Sequence, residues 1–577
     1  MLKLVLGLLC SALAIASQDA PKIENIAQEF QLENGMRWVV IRKPGLSTIS
    51  AGWVAHVGSA NERPGITGIS HLFEHMMFKG SDKIGVKDAA KDRELRQKLD
   101  TVREEMFEEE RTMRQKVRNG YADSINDPAL ESERMKALKT QFQKLIEEQR
   151  ENLVKDEFDK IYTGEGGVRM NAFTNEDMTV YFISVPKNKL ELWFWMESER
   201  LSAPVFREFY SERDVVYEER RMRTDSTPTG KQEEAFENLF WANSTYSWPV
   251  VGWPSDISAI TRSQAEAYFD IFYAPNNLTA CIVGDVTVEQ VKAFAQQYFN
   301  RIPRGETAPP DVVTLPIEQY GVKSFVAEVD SSPEAEIRYR TTAFNGLDAP
   351  ALDVLSEILS GQSGRLNKRL VLDDQIATEA GARFDGRKYD GSFSLFATGK
   401  NETDPAQLEV ALHEELQKIQ KDGITAEELT RVKNNLQGQS YRRMANPFWL
   451  MVSVLVADGY TYDWRNIDRY QERINQVTTQ DVRRVAEKYL VDEKANYKRF
   501  SRKSDSVEEA DLANLTPQQK EMVTRAWGQI SQAPADKLPQ IVEQIQNSAS
   551  QAPPEMKPAL DVLLDRINAK MSQGGAQ

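Results

Sequence analysis

The sequence predicts an α+β fold of two homologous modules, each a mostly antiparallel sheet with helices packed on it, together with an inserted helical hairpin and a helical C-terminal tail. Three observations predict this arrangement. Strand signals fill residues 24–57, a charged stretch with helical periodicity covers 88–159, and one helix-then-strand pattern occurs twice. With 577 residues the chain is also too long for a single hydrophobic core.

Residues 1–17 have the pattern of a secretory signal peptide. Lys3 supplies a positive start, an apolar run extends from Leu4 to Ile15, and Ala14-Ile15-Ala16 offers a small-x-small cleavage site. An uncleaved membrane anchor is the alternative, although the run is short for a span. We therefore expect an exported protein, periplasmic or secreted, without a stable membrane span.

The first module is expected over residues 24–303. It begins with strands, because Asn34-Gly35 is a tight hairpin signal between two apolar runs. A helix that carries residues 71–75 follows, and Lys79-Gly80-Ser81 ends it. Strands return at 168–185, and two helices come after them.

The stretch 88–159 predicts an antiparallel helical hairpin inserted into this module. Apolar residues recur at three- and four-residue spacing in both limbs, and Asn119-Gly120 and Asn126-Asp127-Pro128 break the pattern between them. Our interpretation is a solvated spacer without chemistry. A lid or a partner-docking arm is the alternative.

The repeated pattern predicts the second module. Residues 260–273 resemble 477–490, since each has a Thr or Ser cap, an amphipathic helix with an aromatic near its end, and then a strand. We expect a second module at 317–503 after a proline-rich linker. The tail, 506–577, is expected to form short helices, each with a proline in its first turn.

Composition excludes some functions. The net charge is −15 and the pI is about 5.1, which argues against nucleic-acid binding because such a protein presents a basic surface. After signal cleavage Cys281 would be the only cysteine left, so no internal disulfide is expected.

The chemistry is concentrated at residues 71–75, which spell HxxEH with two of the four histidines in the chain. Residues four apart share a helix face, so His71 and His75 can bind one ion, and Glu74 lies beside it. This is the inverted zinc-hydrolase motif. A third ligand is needed, and a carboxylate is expected because His56 and His413 have no ligand-like spacing and are interpreted as structural. The acidic helix with Glu212, Glu218 and Glu219 is a candidate source, but the sequence alone does not choose among them.

Three segments in one order resemble the insulinase/pitrilysin-like zinc peptidases, the inverzincin family that includes the mitochondrial processing peptidases, and in particular its bacterial processing-peptidase-like members. The segments are 68–80, 171–174 and 212–219. The resemblance covers 24–503. It implies one Zn²⁺ per chain, with Glu219 as the third metal ligand and Glu212 as a partner that orients a histidine ligand.

The family resemblance also implies a substrate site and an activity. The residues that match the family's substrate-binding edge strand are Asn171, Ala172, Phe173 and Thr174. The function implied is an exported zinc endopeptidase that hydrolyses peptides or unfolded protein segments, with Glu74 activating the zinc-bound water. The alternatives are a non-catalytic scaffold and a peptide-binding subunit of the same family. One departure is the long gap between His75 and Glu219, which the hairpin accounts for.

The second module predicts a need for a partner. Active family members enclose substrate between two halves, and the half opposite the zinc presents an Arg and a Tyr. Here the matching positions are Val371 and Thr378. We therefore expect a hetero-oligomer with a related metal-free chain. The alternative is a homodimer in which Arg365 or Arg369 substitutes.

Overall fold

The structure is a computed structural model that describes residues 22–574, apart from 203, 401–402, 504–511, 513–514, 531–536 and 554–555. The predicted signal peptide lies outside the described residues. The chain divides into two compact units. Residues up to 327 together with 332–500 form the first, and residues 328–331 with 501–577 form the second.

Two sheets organise the described chain. The first has the order β1-β2-β6-β3-β5-β4, with β2 and β6 parallel and the other pairs antiparallel. The second has the order β7-β11-β8-β10-β9. The strands are β1 (Ala27–Gln31), β2 (Arg37–Arg42), β3 (Thr48–Ala55), β4 (Val168–Thr174), β5 (Thr179–Pro186), β6 (Leu278–Gly284), β7 (Lys323–Val329), β8 (Glu334–Thr341), β9 (Ala377–Gly386), β10 (Gly391–Gly399) and β11 (Asn496–Arg502).

Helices pack on both sheets. Those of the first module are Ile23–Ile26, Ile69–Met76, Ala89–Arg118, Glu133–Asn152, Glu157–Gly164, Leu190–Ser202, Phe209–Arg220, Gly230–Phe240, Pro254–Ile257, Arg262–Phe272 and Val288–Phe299. Those of the second module are Ala349–Leu359, Pro405–Asp422, Ala426–Ala445, Pro447–Thr461, Asn466–Gln476 and Thr479–Tyr489. Two sheets with packed helices confirm the predicted fold class, while the module boundaries stay predictions.

The sequence repeat corresponds to equivalent helices. Arg262–Phe272 and Thr479–Tyr489 both begin with a threonine capping box, and each precedes a strand of its own sheet, β6 and β11. The repeated pattern therefore marks the same position in both modules.

The modules exchange helices, which explains why β2 is apolar on both faces. Trp38 and Val40 face the helices of their own module, whereas Val39 and Ile41 pack against Pro447–Thr461 from the second half of the chain. In return, Gly230–Phe240 lies against the second sheet, where the Arg338 guanidinium sits 4.8 Å from the ring centroid of Phe236. The two modules are therefore interlocked within the first unit.

The inserted hairpin consists of Ala89–Arg118 and Glu133–Asn152. An antiparallel bridge between Val86 and Leu153 closes its base, so the long insertion begins and ends at one place. The predicted segment extended to 159, but the hairpin ends at Asn152. The following residues return to the body and start the separate helix Glu157–Gly164, because Gly85 O accepts the backbone N–H of Val154.

The tail has its own apolar core. Its helices are Pro517–Ile530, Leu538–Gln551 and Lys557–Gly574, and Val523, Trp527 and Leu563 are among their buried residues. Among the residues that the structure describes, no helix combines the length and the apolar character needed to cross a bilayer.

Candidate metal centre

The HxxEH residues lie on a short helix, Ile69–Met76, that we call the motif helix. Gly68 precedes it at φ +90°, and a Cβ there would lie 2.4 Å from Val251 O, so only glycine fits. The buried carboxylate of Glu62 accepts the backbone N–H groups of Gly68 and Ser70, both at 2.8 Å. Burial raises the pKa of the Glu62 carboxyl group to about 8 although both N–H groups lower it in part, so its two hydrogen bonds to N–H groups that lack a partner within the helix fix the start of the motif helix.

A second helix, Phe209–Arg220, faces the motif helix and is called the acidic helix. It brings Glu219 to the two histidines. Glu219 Oε2 lies 3.2 Å from His75 Nε2 and 3.8 Å from His71 Nε2. The ligand atoms of these three residues all lie within 4.8 Å of one another, and no other such group occurs among the described residues.

This donor set fits zinc. With bonds of roughly 2.0–2.2 Å, ligand atoms around a tetrahedral zinc are about 3.3–3.6 Å apart, close to the two distances from Glu219 to the histidines. Two imidazoles and one carboxylate also match the composition of a catalytic site with an open fourth position. The other oxygen of Glu219 pairs with Arg223 at 2.7 Å, which leaves Oε2 facing both imidazoles.

Glu212 holds the ring of His75. Its Oε1 lies 3.0 Å from His75 Nδ1, and its Oε2 lies 2.5 Å from the Lys79 ammonium. Burial acts against a charged His75, but the hydrogen bond and charge of Glu212 raise the pKa of this imidazole overall. A proton on Nδ1 leaves the Nε2 lone pair for a metal, which is how outer partners orient ligating histidines.

His71 is held differently. Burial, and then the neighbouring His75, lower its pKa, which favours the neutral imidazole that a metal requires. Its Nδ1 is buried and has no hydrogen-bond partner among the described residues. The two histidines of the motif therefore differ in the groups that support them, and the four-residue spacing does not reveal this difference.

Glu74 lies beside the histidines and faces β4. Burial raises the pKa of its carboxyl group, although a hydrogen bond with Thr174 lowers it in part. The predicted substrate residues Asn171, Ala172, Phe173 and Thr174 all lie on β4. This strand is the last in the first sheet, and it pairs only with β5 in the described chain, so its outer edge is open.

A cleft of about 1040 Å³ joins these groups. Its walls include His71, Glu74 and His75 on one side, β4 on another, and the acidic helix on a third. Glu218 also borders it, but its side chain is 59% exposed and pairs with Arg221 instead of facing the histidines. The structure thus separates the three acidic candidates: Glu219 faces the imidazole nitrogens, Glu212 supports one ring, and Glu218 does neither.

The four positions that bear on the predicted partner lie in the second module. Val371 is part of the π-helical turn Asn367–Asp373, and Thr378 is on β9. Arg365 pairs with Glu428 at 2.8 Å, and Arg369 pairs with carboxylates of the same module. Both guanidinium groups are thus paired within the second module.

Sequence reasoning missed part of the support for this site. His56 was expected to be structural without a named partner, and its Nε2 lies 3.2 Å from the fully buried Asp458, on the helix exchanged from the second module. Glu62 and Lys79 were not assigned roles. Glu62 precedes a glycine-rich loop before the motif helix, and that spacing is the one signal that could have identified it as a cap.

Sequence comparisons agree with the motif. A model of the insulinase family (peptidase family M16) matches residues 37–164, which include the motif helix but end before Glu219. A model of the peptidase M16 inactive domain matches 259–436. Zinc protease PqqE of Helicobacter pylori is 30% identical over 349 residues, covering 59% of this chain and 78% of that protein. The uncharacterized zinc protease YmxG of Bacillus subtilis is 20% identical, and the match covers 71% of this chain and 83% of that protein.

Solved structures share the fold. A protease from Helicobacter pylori superposes with a TM-score of 0.67 at 24% identity, covering 82% of this chain and 99% of that one. The periplasmic protease PqqL from Escherichia coli gives a TM-score of 0.60 at 16% identity, covering 87% of this chain and 50% of that one. These matches agree with the inverted motif, with the family models and with the relatives that are named zinc proteases. The chain therefore belongs to the insulinase family, peptidase family M16.

Proposed function

We propose that this chain is a zinc-dependent endopeptidase that hydrolyses peptides or unfolded protein segments, with one Zn²⁺ per chain. The observation that carries the proposal is the convergence of His71 Nε2, His75 Nε2 and Glu219 Oε2 beside the carboxylate of Glu74 and the open edge of β4. Relatives named zinc proteases support the same chemistry.

Each residue has a defined task in this proposal. His71, His75 and Glu219 hold the ion, and Glu212 keeps His75 in the required tautomer. When bound, zinc acts as a Lewis acid that lowers the pKa of water and polarises a carbonyl. Glu74 accepts the proton of the attacking water on a carboxylate oxygen and returns it to the leaving amine.

The edge strand would bind the substrate. An extended peptide can pair with the outward N–H and C=O groups along β4, those of Ala172 and Thr174, because Asn171 and Phe173 belong to the pairs that are hydrogen-bonded to β5. Such pairing gives affinity without strict sequence demand. Thr174, at the end of the strand, is hydrogen-bonded to Glu74 and so links the substrate strand to the proton acceptor.

Glu74→Gln tests the proposal. The variant should keep its zinc, because Glu74 is not among the three converging ligands, and its turnover of an unfolded peptide should fall by about 10²–10⁴-fold, as expected when a general base is lost. The exposed Glu427→Gln is the matched control and should have parental zinc content and activity. Parental turnover in Glu74→Gln would contradict the assigned role.

We also propose that the chain is exported and works opposite a related metal-free chain. Support comes from the signal-like residues 1–17 and from PqqL, a periplasmic protease of which this chain covers only half. The engagement of Arg365 and Arg369 within the second module points to a different chain as the opposite half. Full activity from a homogeneous preparation of this chain alone would refute the partner requirement.

A further inference from the structure

The inserted hairpin lies next to the candidate metal centre, because its return to the body forms part of a pocket there. Besides the large cleft, a separate pocket of about 460 Å³ is bordered by Glu74, His75 and Asn171 on one side and by residues 153–159 on the other. The pocket is therefore lined on one side by residues that would hold the metal, accept the proton and bind the substrate. Its other side is a wall that the insertion supplies.

That wall is held firmly. The guanidinium of Arg207, which is fully buried, lies 3.1 Å from the carboxylate of Asp92 near the start of the hairpin. It also donates to the backbone carbonyls of Ser81 and Ile84. The Val86–Leu153 bridge then fixes the point at which the chain returns. Residues 153–159 thus begin from a braced position.

The pocket has an apolar floor and an acidic rim. Phe78, Phe158 and Met170 supply apolar surface. Around it, six carboxylates face two lysines, and one of these lysines, Lys79, is already paired with Glu212. Asp156 and Asp159 are exposed, and no ion pair engages either of them within the described chain.

We propose that this pocket binds a long basic side chain of the substrate, lysine or arginine, at a position next to the scissile bond; this rests on the proposed peptidase function. Such a side chain has an apolar stem and a charged end, which match the aromatic floor and the carboxylate rim. An aromatic side chain would fill the floor but leave the rim unpaired, and an acidic one would be repelled. The hairpin is then a specificity element, and our interpretation of it as a spacer without chemistry is replaced.

Peptide pairs that differ by one charge test the proposal. In one unfolded background sequence, a single position carries either lysine or norleucine, an uncharged residue of similar length, and the position is moved along the peptide. For the zinc-loaded protein we expect one position at which lysine is favoured over norleucine about fivefold. The preference should appear both in kcat/KM and in the Kd measured by fluorescence anisotropy. A preference of about fivefold is what a partly exposed ion pair contributes. The preference should shrink at high salt.

The variants are Asp156→Asn and Asp159→Asn, alone and together. Asp156 has φ +55°, a conformation that asparagine adopts readily, so the substitution removes charge without backbone strain. The double variant should reduce the lysine preference to less than about twofold while zinc content and thermal midpoint stay parental. Asp123→Asn, an exposed residue between the two limbs at the far end of the hairpin, is the matched control and should keep the preference.

Equal cleavage and binding of the lysine and norleucine peptides at every position would overturn the inference. So would a lysine preference that survives the double substitution. If the protein binds lysine peptides preferentially without cutting them, and the double variant loses that preference, the pocket is supported while the proposed peptidase function fails.

Discussion

Three glutamates on one helix provide a graded test of the metal centre. Glu212, Glu218 and Glu219 lie within eight residues, and the structure gives each a different relation to the histidines. Converting each to glutamine keeps the size and removes one charge. We expect zinc affinity to fall most for Glu219→Gln, less for Glu212→Gln and not measurably for Glu218→Gln.

The magnitudes follow from the contacts. Glu219 is one of the three proposed ligands. Dividing the ~10–16 kcal/mol of a four-ligand structural zinc evenly gives on the order of 2.5–4 kcal/mol per ligand, or roughly 10²–10³-fold in Kd. Glu212 accepts from two donors, His75 Nδ1 and the Lys79 ammonium. A glutamine must turn its NH₂ toward one of them, so one hydrogen bond is lost, and a loss of about 10–100-fold is expected for a residue that supports a ligand.

The assay is a competition titration of metal-stripped protein against a fluorescent zinc chelator, with circular dichroism of each stripped variant to verify folding. Glu218→Gln, whose partner Arg221 is also exposed, should stay within about twofold of the parent because a surface ion pair contributes little. A Glu219→Gln variant that binds zinc within threefold of the parent would refute the proposed ligand set. An effect of Glu218→Gln larger than that of Glu212→Gln would refute the assigned support role.

Two further predictions concern stability. Burial raises the pKa of Asp177 to about 6, although the Tyr246 hydroxyl and the Lys388 N–H both donate to its carboxyl group. The folded protein therefore binds this proton more tightly than the unfolded chain does. As a result, the free energy of unfolding decreases as pH rises from about 4 to 6. The pKa shift corresponds to about 3 kcal/mol, so the thermal midpoint of the parent, measured relative to that of Asp177→Asn, should fall by roughly 3 °C over that pH range. A difference between the two midpoints that does not change with pH would contradict this reasoning. Glu62→Gln should leave one N–H at the start of the motif helix unpaired, at a cost of about 1–3 kcal/mol. Its thermal midpoint and zinc affinity should both fall, and parental values for both would exclude the capping role.

The sequence predicts most of what depends on spacing along the chain. The four-residue interval between His71 and His75 places both rings on one helix face, and the aromatic and β-branched runs within 168–185 predict the two strands beside them. The repeat at 260–273 and 477–490 predicts equivalent helices, as observed. These features are local, so the period of the pattern is enough to identify them.

Features that depend on contacts between distant segments could not be predicted in this way. Glu219 was selected by family resemblance, because nothing in the acidic helix distinguishes it from Glu218 until the histidines are in place. The exchange of Pro447–Thr461 onto the first sheet was also missed. An apolar helix that will cover another module's sheet has the same pattern as one that covers its own.

The long interval between the histidines and Glu219 does not loosen the metal centre, because the hairpin that fills it is attached to the same helix that supplies the third ligand. Asp100, on the first limb, accepts from the hydroxyl of Tyr210 at 3.1 Å, and the ring of Phe142, on the second limb, packs 5.2 Å from that of Tyr210. Both limbs therefore contact the start of the acidic helix. Closing a longer loop costs only about 0.6 kcal/mol per doubling, which such contacts can offset. The insertion can thus add a wall to the proposed substrate pocket while it braces the helix that carries Glu219.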